Sequence, residues 1–372
     1  MFFNLSSPED IPTKSAFCQA RKKIKNTFYS DFFEKTCRVF YEYARPELLK
    51  GYRLWACDTT VQKLPDNEET KKLGTHTNQI KTVASIKVLT YYDALNQITA
   101  HASIHPKDTA DLRCVQVFIK DIPNDIISVY DRGFASQLLA FLHTYFGSKY
   151  VIRVSTGFSN SVEIFMASDQ VDVVVTELLS RKCFIELKKL KIRKSQHDTL
   201  VFRLVKVSLP GGETEVLMTN LEDSFSIDDL NLIYQKRWCV ETSYNYIKNT
   251  WMLGTFSGYS QKAIIQGIYC VLIAHNLQTI IQYDCIPELE IINQKRTRKY
   301  KINRNVGSGI VRECVKKLFL NSTSSWTMAL EAAQKIILKS LEMIKPTIKE
   351  RLRKMLRCND RHQTELNYKR GF

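Results

Sequence analysis

The chain has ten cysteines in 372 residues, yet no Cys-x-x-Cys pair and no other zinc-like spacing. That excludes the common structural zinc sites. The cysteines are scattered, often beside apolar residues, and read as reduced core side chains of a cytosolic protein. No His-x-x-Arg occurs, so the Arg, His-x-x-Arg and Tyr set of a tyrosine recombinase is absent. Met1-Phe-Phe-Asn-Leu lacks a basic segment followed by a long apolar run, so no secretory signal is expected. There is no internal repeat and no low-complexity tract. Acidic residues are in short supply, 38 against 54 Lys and Arg, for a net charge of +16. Such a field suits a polyanion, either nucleic acid or an anionic membrane surface. The most apolar stretch, residues 263–283, is long enough to cross a bilayer. Gln266, His275, Asn276, Gln278 and Gln282 would be costly there, so a buried core helix is expected. His275 then reads as a hydrogen-bonded core histidine.

What is present divides the chain by character. Residues 1–50 read as helical and basic, with a helix start at Ser7-Pro8-Glu9-Asp10. Such a region can contact DNA or cap the main domain, and the sequence leaves both open. From Gly51 the pattern turns to strands. YRLWACDTTVQKLP reads as a strand ending at Asp58-Thr59-Thr60. Two further β-like runs are joined by a turn at Asp93-Ala94-Leu95-Asn96. Residues 108–120 and 135–146 read as helices. IISVYDRGF reads as a strand ending at Asp131, and KYVIRVS as another. Residues 156–218 read as a β-rich insertion that includes VDVVVTELL, CFIELKKLKIR and TLVFRLVKVSL, with a Pro210-Gly211-Gly212 turn. Ser226 to Asp229 caps a helix carrying residues 234–248. The expected organisation is therefore 1–50, 51–155, 156–218, 219–292 and a basic, mainly helical 293–372. The whole is α/β, with a core in two parts, 51–155 and 219–292.

The 234–248 segment is the most informative. Tyr234, Arg237, Glu241 and Lys248 lie at offsets 0, 3, 7 and 14. On one helix they fall at about 0°, −60°, −20° and −40°, within a narrow arc. A carboxylate flanked by two cations and a phenol can hold a metal ion and phosphates. The same spacing also makes Arg237 and Glu241 an ordinary i, i+4 ion pair worth about 0.3 kcal/mol, and on this helix alone a solvated charged face is the favoured reading.

Two further acids sit at the ends of apolar strands: Asp58 after LWAC and Asp131 after ISVY. Asp66, Asp93, Asp108 and Asp111 could serve the same role, but the apolar run before Asp58 and Asp131 favours ordered, partly buried carboxylates. Three carboxylates can hold hard divalent cations, Mg²⁺ or Mn²⁺. Two such ions, about 3.5–4 Å apart, support in-line phosphoryl transfer. Arg237 and Lys248 would then bind phosphate.

On these residues the sequence resembles the insertion-sequence-four family of transposases. The signature Y-x2-R-x3-E-x6-K is met in full by Tyr234, Arg237, Glu241 and Lys248. The family's first Asp matches Asp58 in WACDTT, and its second matches Asp131 in YDRGF. LMTNL, SAFCQARKKI and YKINRN are also similar, so the likeness covers most of the chain. The resemblance implies a DDE enzyme with a ribonuclease H-like core, interrupted by the 156–218 insertion and flanked by helical N- and C-terminal regions. It implies Asp58, Asp131 and Glu241 as catalytic metal ligands for two Mg²⁺ or Mn²⁺ ions, and Tyr234, Arg237 and Lys248 as DNA phosphate contacts. It implies metal-dependent cleavage at element ends, usually through hairpins, and strand transfer into target DNA. Double-stranded DNA and a homodimer in the synaptic complex are the implied partners, and the cytoplasm, with the bacterial nucleoid when DNA is bound, the implied location. One departure stands out. Hairpin-forming relatives carry a Trp in the insertion, and Trp55, Trp238, Trp251 and Trp326 all lie outside it. Phe184 or Phe202 could stack on a base instead, or the hairpin step differs. A different nuclease on the same core and a non-catalytic DNA-binding derivative are the competing readings.

Overall fold

Alternating β-branched runs and helix-capping residues set most of the elements of this chain. The structure is a computed structural model and describes residues 13–77, 81–192, 198–208, 212–320 and 326–344. The helix start expected at residues 7–10, the Pro210-Gly211 part of the turn and the basic tail from residue 345 lie outside them.

In chain order the elements begin with helices α1 (Lys14–Lys23) and α2 (Phe28–Tyr43). Next are strand β1 (Arg53–Lys63), short helix α3 (Glu68–Lys71), and strands β2 (Thr75–Thr77), β3 (Thr82–Asp93) and β4 (Ile98–Pro106). Then come α4 (Asp111–Gln116), β5 (Ile126–Tyr130), α5 (Gln137–Phe146), β6 (Lys149–Val154), α6 (Asn160–Ala167), β7 (Asp172–Leu178) and α7 (Arg181–Lys189). Strands β8 (Thr199–Ser208) and β9 (Thr214–Thr219) lead to helices α8 (Ile227–Lys236), α9 (Trp238–Thr250), α10 (Gln261–Tyr283) and α11 (Ile286–Gln294). The described chain ends with β10 (Tyr300–Lys301), α12 (Arg304–Leu320), α13 (Trp326–Lys339) and β11 (Glu342–Met343).

The chain forms two compact units, Arg45–Asn245 and the residues on either side of it. The first is a nine-stranded mixed sheet with flanking helices, in the order β2-β3-β1-β5-β6-β9-β8-β7, with β4 also pairing β3. Strands β1, β5 and β6 run parallel, and the remaining neighbours are antiparallel. The β3–β4 turn is tied by Asp93, whose carboxylate accepts the Leu95 and Asn96 amides at 3.1 and 3.0 Å. Helix α8 starts in a capping box between Ser226 and Asp229. It buries Leu230 and Ile233 against Val129, Val151, Val205 and Leu217 of the sheet. Each such side chain contributes about 2 kcal/mol by leaving water.

Three expectations change here. Strand β1 does not end at Thr60 but runs to Lys63, because β3 continues to pair with it beyond Asp58. CFIELKKLKIR is not a strand. Ser180 caps α7 by accepting the Cys183 amide, and Cys183 and Leu187, four residues apart, form its buried face. Residues 156–218 thus hold helices α6 and α7, besides β7, β8 and β9, which extend the same sheet. The segment 108–120 contains only a short helix, α4, before a tight turn at Ile119–Asp121.

The second unit is mainly helical. Helix α10 is long and apolar enough to cross a membrane, yet most of that stretch is buried inside the fold. Its Gln266 accepts from Arg21 Nε at 2.6 Å, and its Gln278 amide donates to the Arg304 carbonyl at 2.9 Å. His275 is fully buried, 3.0 Å from Arg304 Nη2, and burial above all pushes its pKa down to about 3. It is a neutral, hydrogen-bonded core residue.

Candidate active site

Parallel pairing brings the first two carboxylates together. The β1–β5 register runs from Arg53↔Ile126 to Ala56↔Val129. Asp58 and Asp131 each lie two residues beyond the last of these pairs. They therefore occupy one row and one face, on neighbouring strands spaced by about 4.8 Å. Asp58 sits on a strand still paired to β3, opposite Thr90. Asp131 stands just past the free end of β5.

Each carboxylate is oriented by a nearby amide. Thr59 N–H donates to Asp58 Oδ1 at 2.7 Å, and Gly133 N–H donates to Asp131 Oδ1 at 2.9 Å. The Asp-Arg-Gly-Phe motif has a local reason. A Cβ at position 133 would stand 3.2 Å from Asp131 Oδ1, so glycine leaves the carboxylate its place. Phe134 is buried and packs on Tyr130, with ring centroids 5.5 Å apart.

Glu241 comes from the first turn of α9. Val240 and Tyr244 press this helix onto Ala56 and Tyr92. The Tyr244 hydroxyl donates to the Asp58 carbonyl at 2.9 Å and accepts from the Thr90 hydroxyl at 2.7 Å. The helix bearing Glu241 is thereby pinned to the strand bearing Asp58. Tyr244 was not singled out from the sequence, since a tyrosine on a helix face reads as ordinary core.

Burial pushes the Asp58 carboxyl up to about 6. The Thr59 amide opposes this, Asp131 and Glu241 add repulsion, and Arg237 supplies attraction. Asp58 thus feels both of the other carboxylates. Among the described residues, however, no three carboxylate, thiol or imidazole groups stand close enough to enclose a metal ion. As a donor set, three hard anionic oxygens fit Mg²⁺ or Mn²⁺.

The signature residues do not share one helix. The chain breaks at Arg237, between α8 and α9, with tight turns from Arg237 N to Tyr234 O and from Val240 N to Arg237 O. Arg237 itself keeps helical dihedrals, φ −53° and ψ −36°, so the junction is a local tightening of the turn. The segment carries no proline or glycine to announce the break. Tyr234 ends α8 with its ring in the core, 6% exposed. Arg237 lies near the Tyr234 and Trp238 rings, 5.9 and 5.7 Å from their centroids, and donates to Glu241 Oε1 at 2.8 Å. Lys248 lies in the last turn of α9, seven residues after Glu241 and about 10 Å along the axis on nearly the same face.

Arg153 was missed, because an arginine in an alternating strand reads as a solvated face. The β5–β6 register ends at Tyr130↔Ile152, and Asp131 and Arg153 are the next residues along the two chains. It donates to Glu215 Oε1 at 2.8 Å, while its buried Nε has no partner among the described residues.

The other aspartates have structural duties. Asp93 ties its turn, Asp108 lies 3.5 Å from His76, and Asp66 accepts the Ala84 amide at 3.3 Å. Asp111 accepts from Lys87 Nζ at 2.7 Å and from the Thr59 hydroxyl at 3.0 Å. Phe202 is 1% exposed and cannot stack on a base, whereas Phe184 is half-buried beneath Lys188. A cavity of about 870 Å³ opens beside the loop after Asp131, lined by Gly133, Ser136, Gly157, Ser159 and Lys182 among others.

No curated protein matches the sequence. Among solved structures, the piggyBac transposase synaptic complex with hairpin DNA is similar at 10% identity and a TM-score of 0.44, over 88% of this chain and 65% of that one. The chain thus spans less than two thirds of that protein's length. The family model described as the transposase DDE domain matches residues 49–277, more than half of the sequence, and the chain belongs to this family.

Proposed function

We propose that this protein is a DNA transposase that cleaves the ends of an insertion element and transfers them to target DNA. The observation that carries the reading is the register-matched pair Asp58 and Asp131, with Glu241 on a helix pinned to the Asp58 strand. The strand order β4-β3-β1-β5-β6, antiparallel and then parallel, supports a ribonuclease H-like core.

Asp58, Asp131 and Glu241 would hold the divalent cations, Mg²⁺ or Mn²⁺ and two per site. When bound, these supply charge neutralisation and polarisation at the phosphoryl centre. The chain's own residues bind and orient the DNA. Arg153 and Arg237 can each present a planar fork to a backbone phosphate. Lys248 adds a point charge further along α9, and Tyr234 supports Arg237 from below. The partly buried setting of the site weakens solvent competition for these contacts. The partners are duplex DNA, both element ends and target, and a second copy of the chain in the synaptic complex. The location is cytoplasmic, on the nucleoid when DNA is bound. The cavity beside the Asp131 loop offers room for a displaced nucleotide. Phe184 remains the aromatic for a hairpin route, since Phe202 is buried.

The test is cleavage of a duplex carrying the sequence that flanks the reading frame, with and without Mg²⁺. Cutting at a defined terminus, lost in Glu241→Ala while DNA binding survives, is the expected result. Binding without cutting, in Mn²⁺ as well as Mg²⁺, would instead assign a non-catalytic DNA-binding derivative. Cutting that ignores the terminal sequence would assign a structure-directed nuclease.

A further inference from the structure

Arg237 is a cation that interacts with all three carboxylates. It donates to Glu241 at 2.8 Å and also attracts Asp131 and Asp58. It is only 8% exposed and lies close to two aromatic rings. A cluster of partly buried like charges requires a compensating charge. In this structure a guanidinium supplies it, and among the described residues no three carboxylates are gathered tightly enough to surround an ion.

We propose that Arg237 is a place-holding counter-ion: in the DNA-free protein it keeps Glu241 apart from Asp58 and Asp131, and the metal-binding set closes only when a DNA phosphate draws the guanidinium away. This rests on the carboxylate reading given above. The exchange is chemically even-handed, because the same planar fork serves a carboxylate or a phosphate. Its consequence is linkage. Metal ion and DNA each raise the other's affinity by the same factor, and Arg237 sets the size of that factor. Arg237 acts here as a positioning residue, through Glu241.

The experiment is Mn²⁺ binding to the full chain without DNA, monitored by the electron paramagnetic resonance of the free ion. Arg237→Gln is expected to bind Mn²⁺ about tenfold tighter than wild type, equivalent to about 1.4 kcal/mol. The gain must vanish in Arg237→Gln/Glu241→Gln, because Glu241 is what the substitution releases. Arg153→Gln serves as the electrostatic control. It removes the same charge nearby but frees Glu215 rather than Glu241, and is expected to change affinity much less. An unchanged Arg237→Gln affinity overturns the inference. So does a gain that survives without Glu241, or one that Arg153→Gln equals. If thermal melting shows that Arg237→Gln does not fold, Arg237→Lys replaces it, with a smaller gain and the same dependence on Glu241. Absence of Mn²⁺ binding in wild type and every variant, with and without DNA, removes the carboxylate reading itself and the inference with it.

Discussion

Asp58 shows how a single carboxylate can be held at a cost to the fold. Burial raises its pKa from an ordinary 3.8 to about 6, helped by repulsion from Asp131 and Glu241. The folded state therefore binds this proton more tightly than the unfolded chain does. Its contribution to stability is complete below about pH 4 and is lost as pH rises through about 6. Above that window the ionised group opposes folding by at most about 3 kcal/mol. Asp58→Asn should accordingly be more stable than wild type at pH 7, with the difference shrinking towards pH 4. Urea midpoints across that range measure it, and a difference that stays constant with pH would show that Asp58 titrates normally. The residues around it were unevenly legible. Apolar runs ending in acid pointed to Asp58 and Asp131, because such strands draw the next side chains into the fold with them. Arg153 was hidden, since only the sheet order sets its strand next to the one that leads to Asp131.

At the scale of elements, α9 depends on the Tyr244 hydroxyl. It links the helix to the Asp58 carbonyl and to Thr90 in one step. Tyr244→Phe leaves a buried carbonyl and a buried hydroxyl without this partner, at a cost of about 1–3 kcal/mol. The expected result is that loss in denaturant midpoint, together with reduced cleavage, because Glu241 is less firmly aimed. A variant with wild-type stability and cleavage would remove Tyr244 from the positioning role. Hairpins and capped helices were readable in advance where turn chemistry was explicit, as at Asp93–Asn96 and Ser226–Asp229. Two readings failed for lack of such chemistry. In 181–189, apolar and charged residues in near alternation suggested a strand, but Ser180 and the i, i+4 pair Cys183 and Leu187 make a helix. At Arg237 two tight turns interrupt the helical hydrogen bonding, with no proline or glycine in the segment to announce them.

For the whole molecule, the +16 charge would govern encounter with the DNA proposed as its partner. If phosphate neutralisation dominates, affinity falls by about 10³-fold or more between 50 and 200 mM salt. Fluorescence anisotropy on a labelled duplex would measure the slope, and a flat response would undermine a polyanion partner. Charge composition was plain from the sequence, whereas the division into two units was not, since the second gathers residues from both ends of the chain. The pairing of β1 with β5 has a last consequence, for change over generations rather than for chemistry. The separation of Asp58 and Asp131 is measured across a hydrogen-bonded ladder, not along the chain between them. Connections in that long stretch can lengthen or shorten while the two acids keep their spacing. A single-residue insertion within β1 ahead of Asp58 would instead turn its side chain to the opposite face. Length variation should thus be tolerated in the connections between the two acids, and not inside the paired strands themselves.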